Sequence, residues 1–187
     1  MHGPALSGWL MVALCAATGV YCLIRMRVCA GEERRAAGGE ALMGFGMASM
    51  ALPATVLTPP GWSWAVYAAV FGGATLHGLL TLRRGGHHLH HLVGSLAMVY
   101  MAVAMAAPTT GAHTGHTIGT TGGIPALTGG LLLYYMAYVL HTGAGLVPAT
   151  AAIAGGGAGQ AWTTRPELAL VCRLTMALAM LAMLVAL

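Results

Sequence analysis

The residues of this chain best able to do chemistry are its histidines and methionines, and one apolar stretch gathers both. In the run from His87 to Met105, read at about 100° per residue, His87, His91, Met98 and Met105 fall on one helical stripe, with Gly94, Ser95 and Met101 at its margins. Imidazole and thioether both bind soft or borderline metals, so this face either handles a transition metal or packs against a neighbour. His91 and Met98 are about 10 Å apart along the axis, and His91 and Met105 about 21 Å, so they cannot share one ion. They offer successive thioether stations instead, and soft thioethers favour Cu(I). Downstream, His113 and His116 lie in a Thr/Gly-rich segment on the other side of the membrane, where a histidine pair suits initial capture of the metal.

Three histidines point to a second arrangement. His77 lies a little over one turn from the inner end of the third apolar segment, His141 at a similar depth on the fifth, and His91 at the inner start of the fourth. Two or three imidazoles converging there make an open metal site, to which His87 adds an i, i+4 partner for His91. The same residues raise the alternative of a b-type haem in an electron-transfer protein, because His77 with His141, or either with His91, supplies two axial ligands. Tyr134, Tyr138 and His141 share a face that would edge a porphyrin. The usual pair of haems at opposite depths needs four suitably placed histidines, and no intramembrane histidine lies near the outer surface, which ranks haem below copper. Hydrogen-bonded neutral imidazoles are the structural alternative to both, and His88 and His90 are expected to face headgroups.

Catalytic readings are weaker. His87, His90 and His91 satisfy the H-x-x-H-H spacing of membrane di-iron enzymes, but the further histidine boxes that chemistry requires are missing. Gly94-Ser95 alone does not make a serine nucleophile. The chain has no Asp, and none of its glutamates is expected within the membrane, so proton-coupled transport lacks its usual carboxylate. Binding, not catalysis, is the expected mode of action.

The elements that must position these residues follow from composition. The 187 residues are 58% hydrophobic and only 6% charged, with a mean hydropathy of +0.78, which a soluble domain of this size could not tolerate on its surface. The expected fold is all-α, a polytopic transmembrane bundle forming a single integral membrane domain over 1–187. Six segments approach the roughly 20 apolar residues a spanning helix needs, at about 6–24, 41–58, 62–82, 89–107, 124–147 and 166–187. The second contains Pro53, which is expected to kink it.

Arginines set the orientation, since basic residues in short loops stay on the cytoplasmic side. Arg25, Arg27, Arg34 and Arg35 flank the first loop, Arg83 and Arg84 the third, and Arg165 the fifth, whereas the second and fourth loops carry none. Both termini are therefore expected outside a bacterial plasma membrane, with Trp9, Trp62 and Trp64 in an outer interfacial belt and Trp162 at the inner face. The formal charge of +4 is topological; the expected partners are the lipid bilayer and a membrane protein or second copy of the chain, not nucleic acid. No basic residue precedes the first apolar run, which favours a retained helix over a cleaved signal peptide. Cys15 and Cys22 lie in the membrane, with Cys29 and Cys172 near the reducing face, so free thiols are expected.

Packing accounts for much of the rest. Ala65, Ala69, Gly73 and His77 form an i, i+4 ridge that lets another helix approach closely, so His77 is expected to face protein. Met43, Met47 and Met50, and likewise Met176, Met180 and Met183, form stripes suited to filling gaps. The Ala/Gly tract from Pro148 to Thr164 reads as a linker, and Thr164 with Glu167 as a capping box around Pro166.

Met1-His2-Gly3-Pro4, Ala41-Leu42-Met43-Gly44-Phe45-Gly46-Met47, the His90 to Met101 run, and Pro166-Glu167-Leu168 with Cys172-Arg173 together resemble an uncharacterised actinobacterial family of small polytopic membrane proteins, a domain of unknown function. The resemblance extends over essentially the full length. It implies the fold and the membrane location and brings no activity, so the functional expectation rests on the residues: transition-metal, preferentially copper, binding or transfer; b-type haem electron transfer; or non-catalytic membrane assembly or partner binding.

Overall fold

The computed structural model describes residues 3–53, 56, 60–82, 89–106, 124–153 and 166–186. Among these residues the fold is all-α, with six helices: α1 (Gly3–Val28), α2 (Gly31–Met50), α3 (Ser63–Leu82), α4 (Leu89–Ala106), α5 (Pro125–Ile153) and α6 (Pro166–Val185). Among the described residues four stretches, Leu6–Val28, Ser63–Leu80, Leu89–Ala106 and Glu167–Val185, are long and apolar enough to cross a membrane. Helix α2 is not among them because it carries Glu32, Glu33, Arg34, Arg35 and Glu40. Helix α5 interleaves its leucines with glycines, tyrosines and His141.

The first apolar hairpin differs from the expected loop-and-kink layout. Helix α1 runs on through Arg25 and Arg27, whose charges suit its C-terminal end, and α2 starts after only Cys29 and Ala30. The Cys29 amide still donates to the Arg25 carbonyl at 2.9 Å. Ala30 is extended, and Gly31 takes φ +59°, a left-handed conformation that costs glycine little. Glu32 and Glu33 then occupy the first turn of α2, where the helix dipole favours acids. The charges thus keep residues 31–40 out of the apolar segments without keeping them out of a helix. At the other end α2 stops at Met50, with the Ala51 amide donating to Met47 at 2.9 Å. Pro53 disfavours helical backbone at the residue before it, so it ends the helix instead of kinking it.

The chain divides into two compact units. The first comprises Met1–Val56 with Leu133–Ala182, the second Leu57–Leu132 with Met183–Leu187, and α5 contributes to both. In the first unit α1 packs along α2. Their approach is set by two glycines: a Cβ added at Gly44 would lie 3.0 Å from Gly19 Cα and 3.1 Å from both Gly19 N and Cys15 O. Backbone meets backbone there, a distance only small residues permit. Around this crossing Cys15, Cys22, Met43 and Met47 are buried, as are Met176 and Met180 on α6. Most of the two gap-filling methionine stripes therefore lies inside.

In the second unit α3 pairs with α4. Phe71 is buried, and a Cβ on Gly78 would meet Leu92 Cδ1 at 3.5 Å. The Ala65, Ala69, Gly73 and His77 ridge lies on a different face of α3 and is exposed, with nothing within 4 Å of a Cβ at Gly73. His77 lies on this exposed ridge, and the side of α3 that packs on α4 is the Phe71/Gly78 side, about 160° around the helix from Gly73. The Tyr100 and Thr128 hydroxyls hydrogen-bond at 2.6 Å, tying α4 to the first turn of α5, and Thr128 Oγ1 donates to the Ile124 carbonyl at 3.2 Å.

Candidate functional site

The α4 stripe keeps its periodicity but not a uniform environment. Met98 and Met101 are buried beside Gly94, Ser95, Ala97 and Ala102, whereas His91 is half-buried and Met105 is 54% exposed. Of the three expected thioether stations on α4, two are buried and Met105 lies at an exposed position. His77 on α3 is exposed, as is His141 on α5. His141 belongs to the first unit, His77 and His91 to the second. His87, His113 and His116 lie outside the described residues. Among the described residues no group of three or more His, Cys, Asp or Glu side chains is placed to hold a metal ion. The tyrosines of α5 pack on one another: Tyr134 stacks with Tyr138 at 6.4 Å between ring centroids and meets Tyr135 edge-on at 5.3 Å.

The chemically richest place is one the histidine pattern does not reveal. From the Gly19/Gly44 crossing of α1 and α2, one helical turn toward their connection brings Cys22 opposite Glu40, because the two helices run antiparallel. The Cys22 thiol donates to Glu40 Oε2 at 3.6 Å. One turn further along α1, Arg25 Nη1 approaches the same oxygen at 3.8 Å. From α6, Arg173 Nε donates to Glu40 Oε1 at 2.7 Å. The preceding residue on α6 is Cys172, a free thiol. Three helices thus converge on one carboxylate whose side chain is 1% exposed, against 13% for Arg25 and 35% for Arg173.

These geometries rank the contacts. At 2.7 Å the Arg173–Glu40 contact is a short charge-assisted hydrogen bond, the strong kind. The 3.8 Å approach of Arg25 is an ion pair too long for a hydrogen bond. Arg25 Nη1 is buried and, among the described residues, has no hydrogen-bond acceptor. Counting formal charges, one carboxylate faces two guanidiniums, which leaves one surplus positive charge in a largely buried cluster. The Cys22 thiol stands beside that surplus; all four cysteines are free.

None of Cys22, Arg25, Glu40, Cys172 or Arg173 figured in the sequence-based metal or haem sites. Glu40, expected in the loop before the second apolar segment, is instead buried on α2. A signal for it does exist: Glu40 shares a helical face with Ala37, Gly44 and Met47, all buried. Arg173 is likewise the one charged residue of α6 beyond its first turn.

A family model described as "Domain of unknown function (DUF5134)" matches residues 32–187. The chain belongs to this family. The matched region contains Glu40, Cys172, Arg173 and the whole α4 stripe, while Cys22 and Arg25 precede it. No match was found among curated proteins or among solved structures.

Proposed function

We propose that this chain is a multi-pass protein of the bacterial plasma membrane, a single integral membrane domain with both termini outside. It acts by binding and assembly within the bilayer, not by catalysis, and the Glu40 centre is its working part. The observation that carries this reading is a 1% exposed carboxylate held by arginines from two other helices. Ionisable groups are expensive among membrane helices and are kept where they serve assembly or binding. Apolar, exposed faces on the four span-length helices supply the bilayer contact. The test is to express Glu40→Gln in the full chain and compare native migration and stability in mild detergent with wild type. Dispersed or destabilised protein is expected; wild-type migration and stability would overturn the reading.

A copper-handling role along α4 is the second reading, favoured by the burial of the Met98 and Met101 thioethers on the face that also carries His91. It predicts that His91→Ala lowers bound copper while the protein stays folded, and that Met98→Leu lowers it further. Unchanged copper stoichiometry in both variants would sink it.

A further inference from the structure

We propose that the Arg25/Glu40/Arg173 cluster holds the phosphate of one anionic membrane lipid, with the Arg173 guanidinium as the contacting group and Arg25 as the second charge. The inference rests on the reading of that cluster as a binding centre, names its ligand, and is independent of the α4 stripe. Its first support is charge. Glu40 meets Arg25 at 3.8 Å and Arg173 at 2.7 Å, so one positive charge is left over beside a carboxylate that is itself 1% exposed. An uncompensated charge among packed helices is costly, and a phosphodiester carries the single negative charge that cancels it.

The second support is the supply of donors. Arg173 engages Glu40 through Nε, which leaves the N–H groups of its two terminal nitrogens for an outside acceptor. That planar fork matches two phosphate oxygens at once. Arg25 Nη1 is buried and lacks a hydrogen-bond acceptor among the described residues, so Arg25 contributes its charge to the cluster undiminished by a close partner. The third support is access. Arg173 shares a helical face with Ala169, Met176, Ala177 and Met180, all buried, yet its own side chain is 35% exposed. The packed face of α6 is therefore open at Arg173. The surround decides between a lipid and a free ion. Arg25 and Arg173 both lie inside span-length apolar stretches, and the exposed side chains next to them in sequence are apolar: Ile24 and Val28 on α1, and Val171 on α6. Acyl chains suit such a surround and a hydrated inorganic ion does not, which makes a lipid the carrier of the phosphate.

The experiment uses the full chain in mild detergent, stripped of co-purified lipid, with phosphatidylglycerol, phosphatidylcholine or inorganic phosphate added in turn. Binding is read as lipid retained in native mass spectrometry and as the shift in Tm. Wild type is expected to retain one phosphatidylglycerol per chain and, at a tenfold excess over Kd, to gain about 3–6 °C in Tm, with phosphatidylcholine and phosphate leaving it where it was. Arg25→Gln removes the surplus charge and is expected to weaken binding about tenfold, whereas Glu40→Gln doubles the surplus and is expected to tighten it about tenfold even as its lipid-free Tm falls. Arg35→Gln, in the exposed pair with Glu32 outside the cluster, is expected to change nothing. A merely structural cluster would move the Arg25 and Glu40 variants the same way. Such parallel shifts, equal binding of the two lipids by wild type, or a phosphate response as large as the lipid's overturns the proposal. Should Arg25→Gln fail to fold, Glu40→Gln and the wild-type headgroup comparison decide. The lipid-free arm separates the proposal from the reading beneath it: Glu40→Gln losing stability while wild type ignores the headgroup would leave the centre as an assembly element and remove the lipid. Selective phosphatidylglycerol binding by wild type while lipid-free Glu40→Gln keeps its stability and migration would remove the assembly role and keep the site.

Discussion

Replacing Glu40 by glutamine is the perturbation from which the most can be computed. The substitution keeps the shape and one carbonyl acceptor for the Arg173 Nε donor, now 2.7 Å from Oε1, but deletes the negative charge. Breaking a buried ion pair by removing one partner costs about 3–5 kcal/mol, because the charge left behind is uncompensated. Two features reduce that figure here. The Arg173 side chain is 35% exposed, so its guanidinium can move toward water or headgroups, and the retained amide oxygen still accepts its hydrogen bond. Arg25, at 13% exposure, has less escape, but its 3.8 Å contact is the weaker of the two. We therefore expect Glu40→Gln to cost about 2–3 kcal/mol, which for a chain of this size lowers Tm by roughly 4–12 °C.

The same geometry orders the partners. Arg173→Gln strands a 1% exposed carboxylate with only the long Arg25 contact, and is expected to cost about 3–5 kcal/mol. Arg25→Gln removes only that contact, and about 1 kcal/mol is expected. Glu40→Gln with Arg173→Gln should cost less than the sum of the singles by about 1–3 kcal/mol, the coupling of residues in direct contact. The protein carries its own probe, because Cys15 and Cys22 are buried and become reactive to a thiol dye only on unfolding. Heating each variant in detergent with such a dye gives Tm. A Glu40→Gln shift below 2 °C, or equal costs for Arg25→Gln and Arg173→Gln, would refute the ranking.

Two glycines should respond in opposite directions to the same change. Gly44→Ala puts a methyl 3.0 Å from the Gly19 backbone, so α1 and α2 must separate; a loss of about 1–3 kcal/mol is expected by the same thermal assay. Gly73→Ala meets nothing within 4 Å and is expected to be neutral or to gain up to about 1 kcal/mol from helix propensity. Equal effects at the two positions would mean the close crossing is absent. Tyr100→Phe removes the 2.6 Å bond to Thr128, and the expected loss is about 0.5–1.5 kcal/mol, with Thr128→Val adding little to it; additive losses would show that the hydroxyls do not pair.

The apolar helices were legible because their signal is local. Helices α3, α4 and α6 begin and end within a few residues of the expected bounds, since length and apolarity alone define a span. Helix α2 was not, because an apolar window registers the change of solvent at Ala41 and not the start of a helix ten residues earlier, among charged residues that are good helix formers. The histidines drew attention as ligand types, but their fate depended on which face of each helix is covered, and periodicity within one helix does not say which face that is. His77 illustrates this: its ridge of small residues is real, but α3 packs on α4 through the opposite side.

The Glu40 centre was hidden for a different reason. Its parts are common residue types, Glu40 and Arg173 being separated by 133 positions, and no spacing rule links them. What links them is the Gly19/Gly44 crossing, which fixes how far along α1 and α2 each residue sits and so decides that Cys22 and Arg25 meet Glu40. Once α1 and α2 are clasped, the pair presents a carboxylate with one guanidinium at 3.8 Å, an incomplete arrangement. Helix α6 completes it with Arg173. The ion pair therefore does more than stabilise: it sets the register of α6 against the α1/α2 pair. A substitution that shifts α6 by one residue would move Arg173 by about 100° around its helix, taking the guanidinium off Glu40 even if every helix stayed intact.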